Sequence, residues 1–215
     1  MYEAVLPMQK HHHRLAGDTL TEAFKDSPMF VHLFPEPVKR RKVLSMVFPI
    51  MIQMLHAVGT VYVSSDEVEG IICVRKAGTI RARNSLPLLA LKLLVRLPRV
   101  FLQVSPIQFH MKAKELKELS SALDPYYKHH RNFLVLDAVA VHPRYQGQGK
   151  ISPLIHSALQ EARESGTFCV LQTETEFNAS LYEHFGFKRV RTFPCINGAF
   201  NTYVLLYDPH GIVQS

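Results

Sequence analysis

The stretch at residues 139–155, "VAVHPRYQGQGKISPLI", constrains the fold more than any other part of the sequence. It begins inside a nearly continuous apolar run, residues 132–141, of the kind found in strands that are covered on both faces. His142 and Pro143 end the run, and apolar residues recur at helical spacing from Leu154 onward. The sequence therefore predicts a buried central strand, a tight glycine turn and a helix in direct succession.

The elements before this unit predict helices, one hairpin and an insertion. Helices are expected at residues 11–25 and 38–57, with an irregular proline-rich stretch between them. Two β-branched runs around an acidic turn predict a hairpin within residues 60–78. Residues 79–128 are basic, apolar and interrupted by prolines, which indicates a helical insert whose most regular helix covers residues 110–123.

The elements after the turn complete an open sheet. The helix that follows the turn is expected to end at Gly166, and a second strand should cover residues 168–174. A short helix then ends at Gly186, and Asn197–Gly198 marks a hairpin turn between two last strands. We therefore predict an α/β fold, with a twisted mixed sheet flanked by helices, formed by residues 1–215 as one domain. In such sheets ligands bind at the carboxyl ends of strands, where the glycine turn lies.

The composition limits the classes of function. The chain has 25 Lys and Arg against 18 Asp and Glu, a net charge of +7 that suits an anionic ligand. The basic residues are scattered without a recognised nucleic-acid motif, so we expect no nucleic-acid partner. The most apolar segment, residues 86–104, contains three basic residues and two prolines, which argues against stable membrane insertion. Three widely spaced cysteines predict buried thiols in a cytoplasmic protein: Cys73, Cys169 and Cys195.

The turn at residues 146–149, Gln-Gly-Gln-Gly, predicts an anion site. Glycine there allows a positive φ and close approach of the main chain to a ligand. N–H groups in the first turn of the next helix lack partners, and Arg144 and Lys150 add positive charge. The turn is not a P-loop, and Ser152 replaces the third glycine of a dinucleotide fingerprint. A pyrophosphate site is one interpretation, and a polar surface turn is the alternative that this pattern alone leaves open.

The turn and the tail "LQTETEFNASLYEHFGF", residues 171–187, together resemble the GNAT superfamily of acyl-coenzyme A-dependent N-acyltransferases. Both motifs occur in the order and at the separation typical of the family, and the resemblance covers residues 131–190. It looks closest to the branch that includes puromycin N-acetyltransferase, on an early "SPMF…LFP" segment and an "N-x-x-x-Y-E-x-x-G-F" tail.

The family's Q/R-x-x-G-x-G/A pattern can be placed on this sequence in two registers. As a string, Arg144-x-x-Gly147-x-Gly149 matches, but counting from "VHP" makes Gln146-x-x-Gly149-x-Ile151 the better register. Ile151 then stands at the last small position, which departs from the pattern and puts close approach there in doubt. Contacts made by main chain could survive the departure.

The resemblance implies that acetyl-coenzyme A is the co-substrate, bound in an opening between two central strands at residues 134–141 and 168–173. The pantetheine arm would pair with main chain at Val139 and Val141, and a main-chain N–H at Val139 or Ala140 would hold the thioester oxygen. No metal is implied. The residues implied to contact the coenzyme are Val139, Ala140, Val141, Gln146, Gly147, Gln148, Gly149, Lys150, Ile151, Asn178 and Tyr182.

Two residues of the tail carry further implied roles. Tyr182 lies where a family tyrosine sits beside the coenzyme sulfur and can protonate the leaving thiolate, and a phenol is a plausible acid for that step. Packing with neighbouring aromatic residues is the alternative for Tyr182. Asn178 is expected to cap the short helix, to contact the coenzyme, or both.

A base must accept a proton from the amine, directly or through water, and the sequence does not fix which residue does so. Glu174 is the residue assigned here, with Glu176 also following the second strand. Relatives often have glutamate where this chain has Gln172. Asp137 on the central strand is another candidate, with a salt-bridged carboxylate as the favoured alternative. The histidines at 11–13 and 129–130 lack metal-ligand spacing and are expected to be solvated.

The sequence thus predicts an N-acetyltransferase that moves an acetyl group directly to a primary amine, chiefly of a small molecule. A non-catalytic acyl-coenzyme A-binding module is the alternative, kept open by Ile151 and Gln172. The basic insert could form a substrate lid, a homodimer face or a membrane-surface helix pair, and a solvated face on a packing helix is the interpretation we favour.

Overall fold

The computed structural model describes residues 5–77, 121–196 and 198–213, and the structural statements below concern these residues. Within them, seven strands form one sheet in the order β1-β2-β3-β4-β5-β7-β6. Neighbouring strands are antiparallel except β4 and β5, which are parallel. The predicted mixed sheet is therefore confirmed. The strands are β1 (Leu6–Pro7), β2 (Thr60–Val63), β3 (Gly70–Lys76), β4 (Leu134–Val141), β5 (Cys169–Thr173), β6 (Lys188–Cys195) and β7 (Phe200–Tyr207).

Six helices flank the sheet in the described part of the chain. They are α1 (His13–Phe24), α2 (Pro28–Leu33), α3 (Pro37–Val58), α4 (Asp124–His129), α5 (Ile151–Glu164) and α6 (Glu176–His184). The predicted helices α1, α3, α5 and α6 are confirmed. The expectation of an irregular stretch before α3 is wrong, because α2 forms there with Pro28 in its first turn. Proline is tolerated at that position, since the first N–H groups of a helix have no partner within it.

The helices cover the two faces of the sheet. On one face α1 and α3 pack against β3 and β4, with Leu20 and Phe48 buried next to Ala138. On the other face α5 packs its apolar side, including Leu154 and Leu159, as the helical spacing predicted. Burying both faces explains why the central strand is almost continuously apolar.

A β-bulge at Asp137 changes the alternation of β4. Cys73 pairs with Ala138, but its neighbour Val74 pairs with Leu136, so Asp137 is an extra residue on β4. Leu136 packs on the α5 side of the sheet. After the bulge the alternation is shifted by one residue, so Ala138 and Ala140 pack on the opposite side, against α1 and α3. The exposed surface of Asp137 belongs mainly to its main chain. The residue as a whole is exposed, whereas its side chain is only 21% exposed. Bulges re-aim a strand in this way near functional sites.

Among the described helices, α3 is the only one that is long and apolar enough to cross a membrane, judged by length and composition alone. Its Leu44, Phe48 and Ile52 are buried against α1 and the sheet, as in the core helix of a globular domain. Contact with α1 is close at Gly17, where an added Cβ would lie 2.7 Å from Cγ of Pro49. Only a residue without a side chain fits there.

Two of the sequence predictions lie mostly outside the described residues. Of the insert at 79–128, the structure describes residues 121–128, which form a 3₁₀ turn at Ser121–Leu123 and most of α4. The helix expected at 110–123 falls largely outside. The hairpin of β6 and β7 is confirmed, with Gly198 at a φ of +82°, whereas Asn197 lies outside the described residues. The three cysteines are buried and form no disulfide with one another, as predicted.

Candidate active site

Strands β4 and β5 separate after two residue pairs, which creates an opening at their carboxyl ends. Leu134 pairs with Cys169 and Val135 pairs with Val170, and no further pairs join the two strands. Beyond this point β4 stays paired with β3 as far as Val141, and β5 stays paired with β7 as far as Thr173. The inner edges of the two strands therefore face each other without their own sheet hydrogen bonds.

The main chain of β4 is oriented so that Val139 and Val141 face the opening. The His142 N–H donates to the Glu69 carbonyl on the β3 side at 2.7 Å. Because main-chain groups of successive strand residues point to opposite sides, Ala140 is directed toward β3 as well. Of the two N–H groups expected to hold the thioester oxygen, the alternation favours Val139. Unpaired main chain inside a protein is costly unless a ligand satisfies it.

The glycine turn, residues 146–149, lies directly beyond β4 and is fully exposed. Gly147 and Gly149 have φ values of +76° and +74°, a conformation that glycine adopts without strain. No hydrogen bond to the N–H groups of Gly147, Gln148 or Gly149 is formed by the described residues. Helix α5 begins at Ile151 just after these groups. The turn therefore presents several free donors at the N-terminus of a helix, as an anion site requires.

Glutamine side chains support the turn. The Gln146 amide donates to the Val141 carbonyl at 3.1 Å, and the Gln148 amide donates to the Arg144 carbonyl at 3.0 Å. The His142 ring accepts from the Arg144 N–H, which gives His142 a structural role. The Gln146 side chain thus closes the end of β4, and the contact of Gln146 with the coenzyme stays a prediction.

The expected positive charge at the turn is partly engaged. The Lys150 ammonium lies 3.5 Å from a carboxylate oxygen of Glu69. Burial would raise the pKa of Glu69, but hydrogen bonds from the Ser65 and Ser64 hydroxyls and the charge of Lys150 lower it to about 2. Glu69 is thus a firmly charged residue that holds Lys150 beside the turn, while Arg144 is exposed.

Tyr182 lies on α6 with its ring inside the core. The residue is only 8% exposed and its ring packs edge-on against Phe187 at 5.8 Å. Its hydroxyl makes no hydrogen bond to any described residue, although buried hydroxyls usually have a partner. Burial raises the pKa of Tyr182, so it stays protonated at neutral pH and can act only as a donor. The packing alternative and the proton-donor role are thus compatible in one residue.

Asn178 does not cap α6. The cap is Thr175, whose hydroxyl accepts from the Asn178 N–H at 3.2 Å. Thr175 stands in extended conformation just before the helix, which is the position where a side-chain oxygen reaches the third helical N–H. The capping role expected for Asn178 is therefore wrong, and its side chain remains available for other contacts.

Glu174 follows β5 directly and lies at the first turn of α2. The Glu174 carboxylate accepts a hydrogen bond from the Met29 N–H at 3.4 Å and so caps α2. The side chain of Ser27, which stands at the N-cap position of α2, makes no such hydrogen bond. Burial raises the pKa of Glu174, and the Met29 N–H and the nearby Ser27 hydroxyl only partly offset this effect. The Ser27 hydroxyl lies close to the carboxylate but lacks hydrogen-bond geometry, so it remains without a partner. A carboxylate with a raised pKa is a more effective base near neutral pH.

The other candidate bases are occupied by arginines. Asp137 accepts two hydrogen bonds from Arg75, at 2.6 and 3.0 Å, which is the salt bridge favoured as its alternative role. Glu176 accepts two from Arg189, at 2.5 and 2.9 Å, and this pairing lowers the pKa of Glu176. A carboxylate held by a guanidinium is a poor proton acceptor. Glu174 therefore stands apart from both alternatives.

The expectation that residues 11–13 are solvated histidines is wrong for His12. His12 is 1% exposed, and its Nε2 lies 2.9 Å from Asp66. The Gln9 N–H donates to His12 Nδ1, so the ring proton belongs on Nε2 and is directed at Asp66. His11 lies 3.7 Å from the same carboxylate, which makes the group resemble a cation site in composition. With both ring nitrogens of His12 engaged, the arrangement is a hydrogen-bond network that fixes the start of α1.

Sequence reasoning missed Ser27, a polar residue beside Glu174, and two further buried polar groups. The side-chain oxygens of Ser27 and Thr202 are buried without hydrogen-bond partners, and so is the amide oxygen of Gln172. Gln172 was considered only as a replaced glutamate. Ser27 is the first residue of the "SPMF" segment, but it approaches Glu174 only through the fold, and Thr202 belongs to no recognised motif.

The comparisons with known proteins agree with this geometry. Residues 118–189 match the family model described as the acetyltransferase (GNAT) domain, and this segment contains the glycine turn and Tyr182. No curated protein matches the chain.

Solved structures that share the fold extend over nearly the whole chain. A protein from Corynebacterium glutamicum described as histone acetyltransferase HPA2 and related acetyltransferase has a TM-score of 0.66 at 19% identity, covering 97% of each chain. An agmatine N-acetyltransferase variant has a TM-score of 0.58 at 12% identity, covering 95% of this chain and 98% of its own. Arylalkylamine N-acetyltransferase 2 from Aedes aegypti has a TM-score of 0.59 at 12% identity, covering 95% and 97%.

At these identities the structural likeness establishes the fold, which is that of GNAT acetyltransferases. The match of residues 118–189 to the acetyltransferase (GNAT) domain confirms the prediction of an acyltransferase enzyme at the level of class.

Proposed function

We propose that this protein is an acetyl-coenzyme A-dependent N-acetyltransferase that moves an acetyl group directly to a primary amine of a small molecule. The observation that carries the proposal is the opening between β4 and β5, with free N–H groups of the glycine turn at its outer end. Two similar structures are named for N-acetyltransferases of agmatine and arylalkylamines, which supports a small amine as acceptor. We also propose the puromycin N-acetyltransferase branch as its place within the family.

The residues of the opening fit the coenzyme. When bound, acetyl-coenzyme A supplies a thioester whose acetyl group is activated for attack by an amine. Main chain at Val139 and Val141 would pair with the amide-rich arm, where β4 lacks a neighbouring strand. The N–H groups of Gly147, Gln148 and Gly149 would hold the pyrophosphate. Ile151 starts α5 immediately behind them, so its bulk need not block contacts that main chain makes.

Residues of the chain would handle the two proton transfers. Glu174 would accept a proton from the amine, since it is the carboxylate here with a raised pKa and without an ion pair to an arginine. Tyr182 would donate its proton to the departing sulfur, because its hydroxyl is protonated and has no partner among the described residues. The Val139 N–H would stabilise negative charge on the carbonyl oxygen. Holding both reactants in place removes the need for an acyl-enzyme.

A thermal-shift experiment followed by an activity assay tests the proposal. Acetyl-coenzyme A at millimolar concentration should raise the melting temperature, because a ligand of the native state stabilises it. Release of free thiol in the presence of an amine panel should then be observed. Absence of any shift would rule out coenzyme binding. A shift without thiol release for any amine would favour the non-catalytic binding module instead.

A further inference from the structure

Helix α6 carries Tyr182 but is too short to be stable through its own hydrogen bonds. It has nine residues, Glu176–His184. Helices shorter than about 12 residues depend on contacts with the rest of the protein. The side of α6 that faces the core buries Ala179 and Tyr182. Polar contacts beside that core therefore help to decide where the Tyr182 hydroxyl lies.

Arg189 on β6 bridges the two ends of α6. Its guanidinium donates two hydrogen bonds to Glu176 in the first turn, at 2.9 and 2.5 Å, and two to Glu183 in the last turn, at 3.1 and 3.3 Å. The guanidinium carbon also lies 4.9 Å from the centre of the Tyr203 ring. A planar guanidinium holds carboxylates in fixed directions, which the flexible ammonium of lysine does not do. The network is therefore a clamp that spans α6 directly beside Tyr182.

A β-bulge in β6 directs Arg189 toward α6. Arg189 pairs with Leu205, which lies in the core on the α5 and α6 side of the sheet. Arg191 pairs with Val204, which packs on the opposite side, so Val190 is an extra residue between the two arginines. Without the bulge both arginines would lie on one face, since strand residues two apart point to the same side. Bulges at sheet edges often re-aim side chains near functional sites, and β6 is an edge strand of the described sheet.

The surroundings of the two arginines differ accordingly. The Arg189 side chain is only 26% exposed, with its guanidinium between the Tyr203 ring and two carboxylates. Arg191 is exposed, and its guanidinium carbon lies 4.5 Å from the centre of the Phe193 ring, on the face away from α6. A single exposed ion pair contributes little, whereas a network with bidentate geometry can hold its members in place. The bulge therefore assigns one of two neighbouring arginines to the placement of α6.

Resting on the proposed function, we infer that Arg189 is a positioning residue for the reaction: by holding both ends of α6, it fixes the Tyr182 hydroxyl at the coenzyme sulfur. A misplacement of about 1 Å at a reacting group can cost up to about 100-fold in rate, so loss of the clamp lowers kcat. Loss of Glu176 or Glu183 alone leaves Arg189 attached at the other end of the helix. Both carboxylates must therefore be removed to release α6.

A double-mutant cycle with Tyr182 tests this inference. Arg189→Met should lower kcat about fivefold, measured as thiol release at saturating acetyl-coenzyme A and amine. In the Tyr182→Phe background the same change should lower kcat less than about twofold, because no hydroxyl is left to position. Arg191→Met is the matched control and should leave kcat unchanged in both backgrounds. Glu176→Gln combined with Glu183→Gln should reproduce the loss seen with Arg189→Met.

The outcomes of the cycle separate this inference from the proposed function. An unchanged kcat in Arg189→Met, or an equal fold-loss in both backgrounds, would overturn the inference and leave acetyl transfer intact. An unchanged kcat in Tyr182→Phe would also overturn it, since Arg189 would then have no proton donor to place. If Arg189→Met does not fold, the double glutamine variant provides the same cycle. Thiol release with no amine in the unaltered protein would instead defeat the proposed function.

Discussion

The two sides of the opening are built from different parts of the chain. On the coenzyme side, free N–H groups of Gly147, Gln148 and Gly149 are exposed, and the side chains nearby serve mainly to hold the turn. On the acceptor side, the half-buried carboxylate of Glu174 at the end of β5 provides the polar group. The first side should therefore be sensitive to backbone conformation and the second to side-chain chemistry. The predictions that follow test this division.

The largest effect is expected at Glu174. Glu174→Gln keeps an acceptor for the Met29 N–H but removes the base, so turnover should fall by about 100-fold. Because burial raises the pKa of Glu174, activity of the unaltered protein should decline on acidification at a pH above the ordinary carboxyl value of 4.5. The variant should lack this decline. Steady-state kinetics between pH 5 and 9 provide the measurement.

The matched control for this change is Glu176→Gln. Glu176 follows the same strand but is paired with Arg189, so its loss should change turnover by less than about threefold. Comparable losses in both variants would show that the local charge, rather than one base, supports the reaction. Full activity of Glu174→Gln would remove Glu174 from the proposed mechanism.

Tyr182→Phe is expected to have the next largest effect. It preserves the packing against Phe187 but removes the proton donor, so kcat should fall by at least about tenfold with little change in coenzyme affinity. Tyr207→Phe is the control, because its hydroxyl accepts from Arg163 at 2.8 Å far along β7. Equal kcat values for Tyr182→Phe and the unaltered protein would leave Tyr182 as a packing residue only.

A smaller effect is expected at Glu69, an acidic residue that supports the turn through Lys150. Its pKa in the folded protein is lowered to about 2, so its contribution to stability is complete above pH 4.5 and is lost as the pH falls toward 2. Glu69→Gln should cost about 1 kcal/mol at pH 7 and flatten the stability profile within that window. Denaturant unfolding at several pH values measures this.

The control at this site is Glu67→Gln, an exposed neighbour that should leave stability unchanged. Coenzyme affinity provides the sharper test of the comparison. If main-chain donors hold the coenzyme, Glu69→Gln should change its KM by less than about threefold. A larger change would show that the coenzyme side also depends on side-chain charge.

The two sides also differ in how far the sequence could predict them. Glycines, a preceding apolar strand and a following helix are local features, so the turn at residues 146–149 was predicted with its conformation. The contact of Glu174 with Ser27 and Met29 could not be predicted, because only the packing of α2 against the end of β5 brings these residues together. Side-chain sites that depend on packing between distant segments leave no local pattern.

The central strand shows the same limit within one element. Its position and burial followed from an apolar run, but the bulge at Asp137 did not, since the run contains no glycine or proline to mark it. Helix α2 was missed for a related reason. The prolines at its start and after its end suggested an irregular stretch, and its first turn is capped by Glu174, which is distant in the sequence. Tertiary contacts decided both features.

The coenzyme side is tested most directly by comparing Gly149→Ala with Gly166→Ala. The two glycines have φ values of +74° and +60°, and an added Cβ would meet no atom within 4 Å at either position. Both variants should therefore lose a similar ~1 kcal/mol through backbone strain alone. Gly149→Ala should in addition raise the coenzyme KM severalfold, because a change of φ re-aims the N–H groups that hold the pyrophosphate, whereas Gly166 ends α5 away from the turn. Similar KM values in the two variants would show that the conformation of the turn does not determine coenzyme binding, and the division between main chain and side chain would fail on that side.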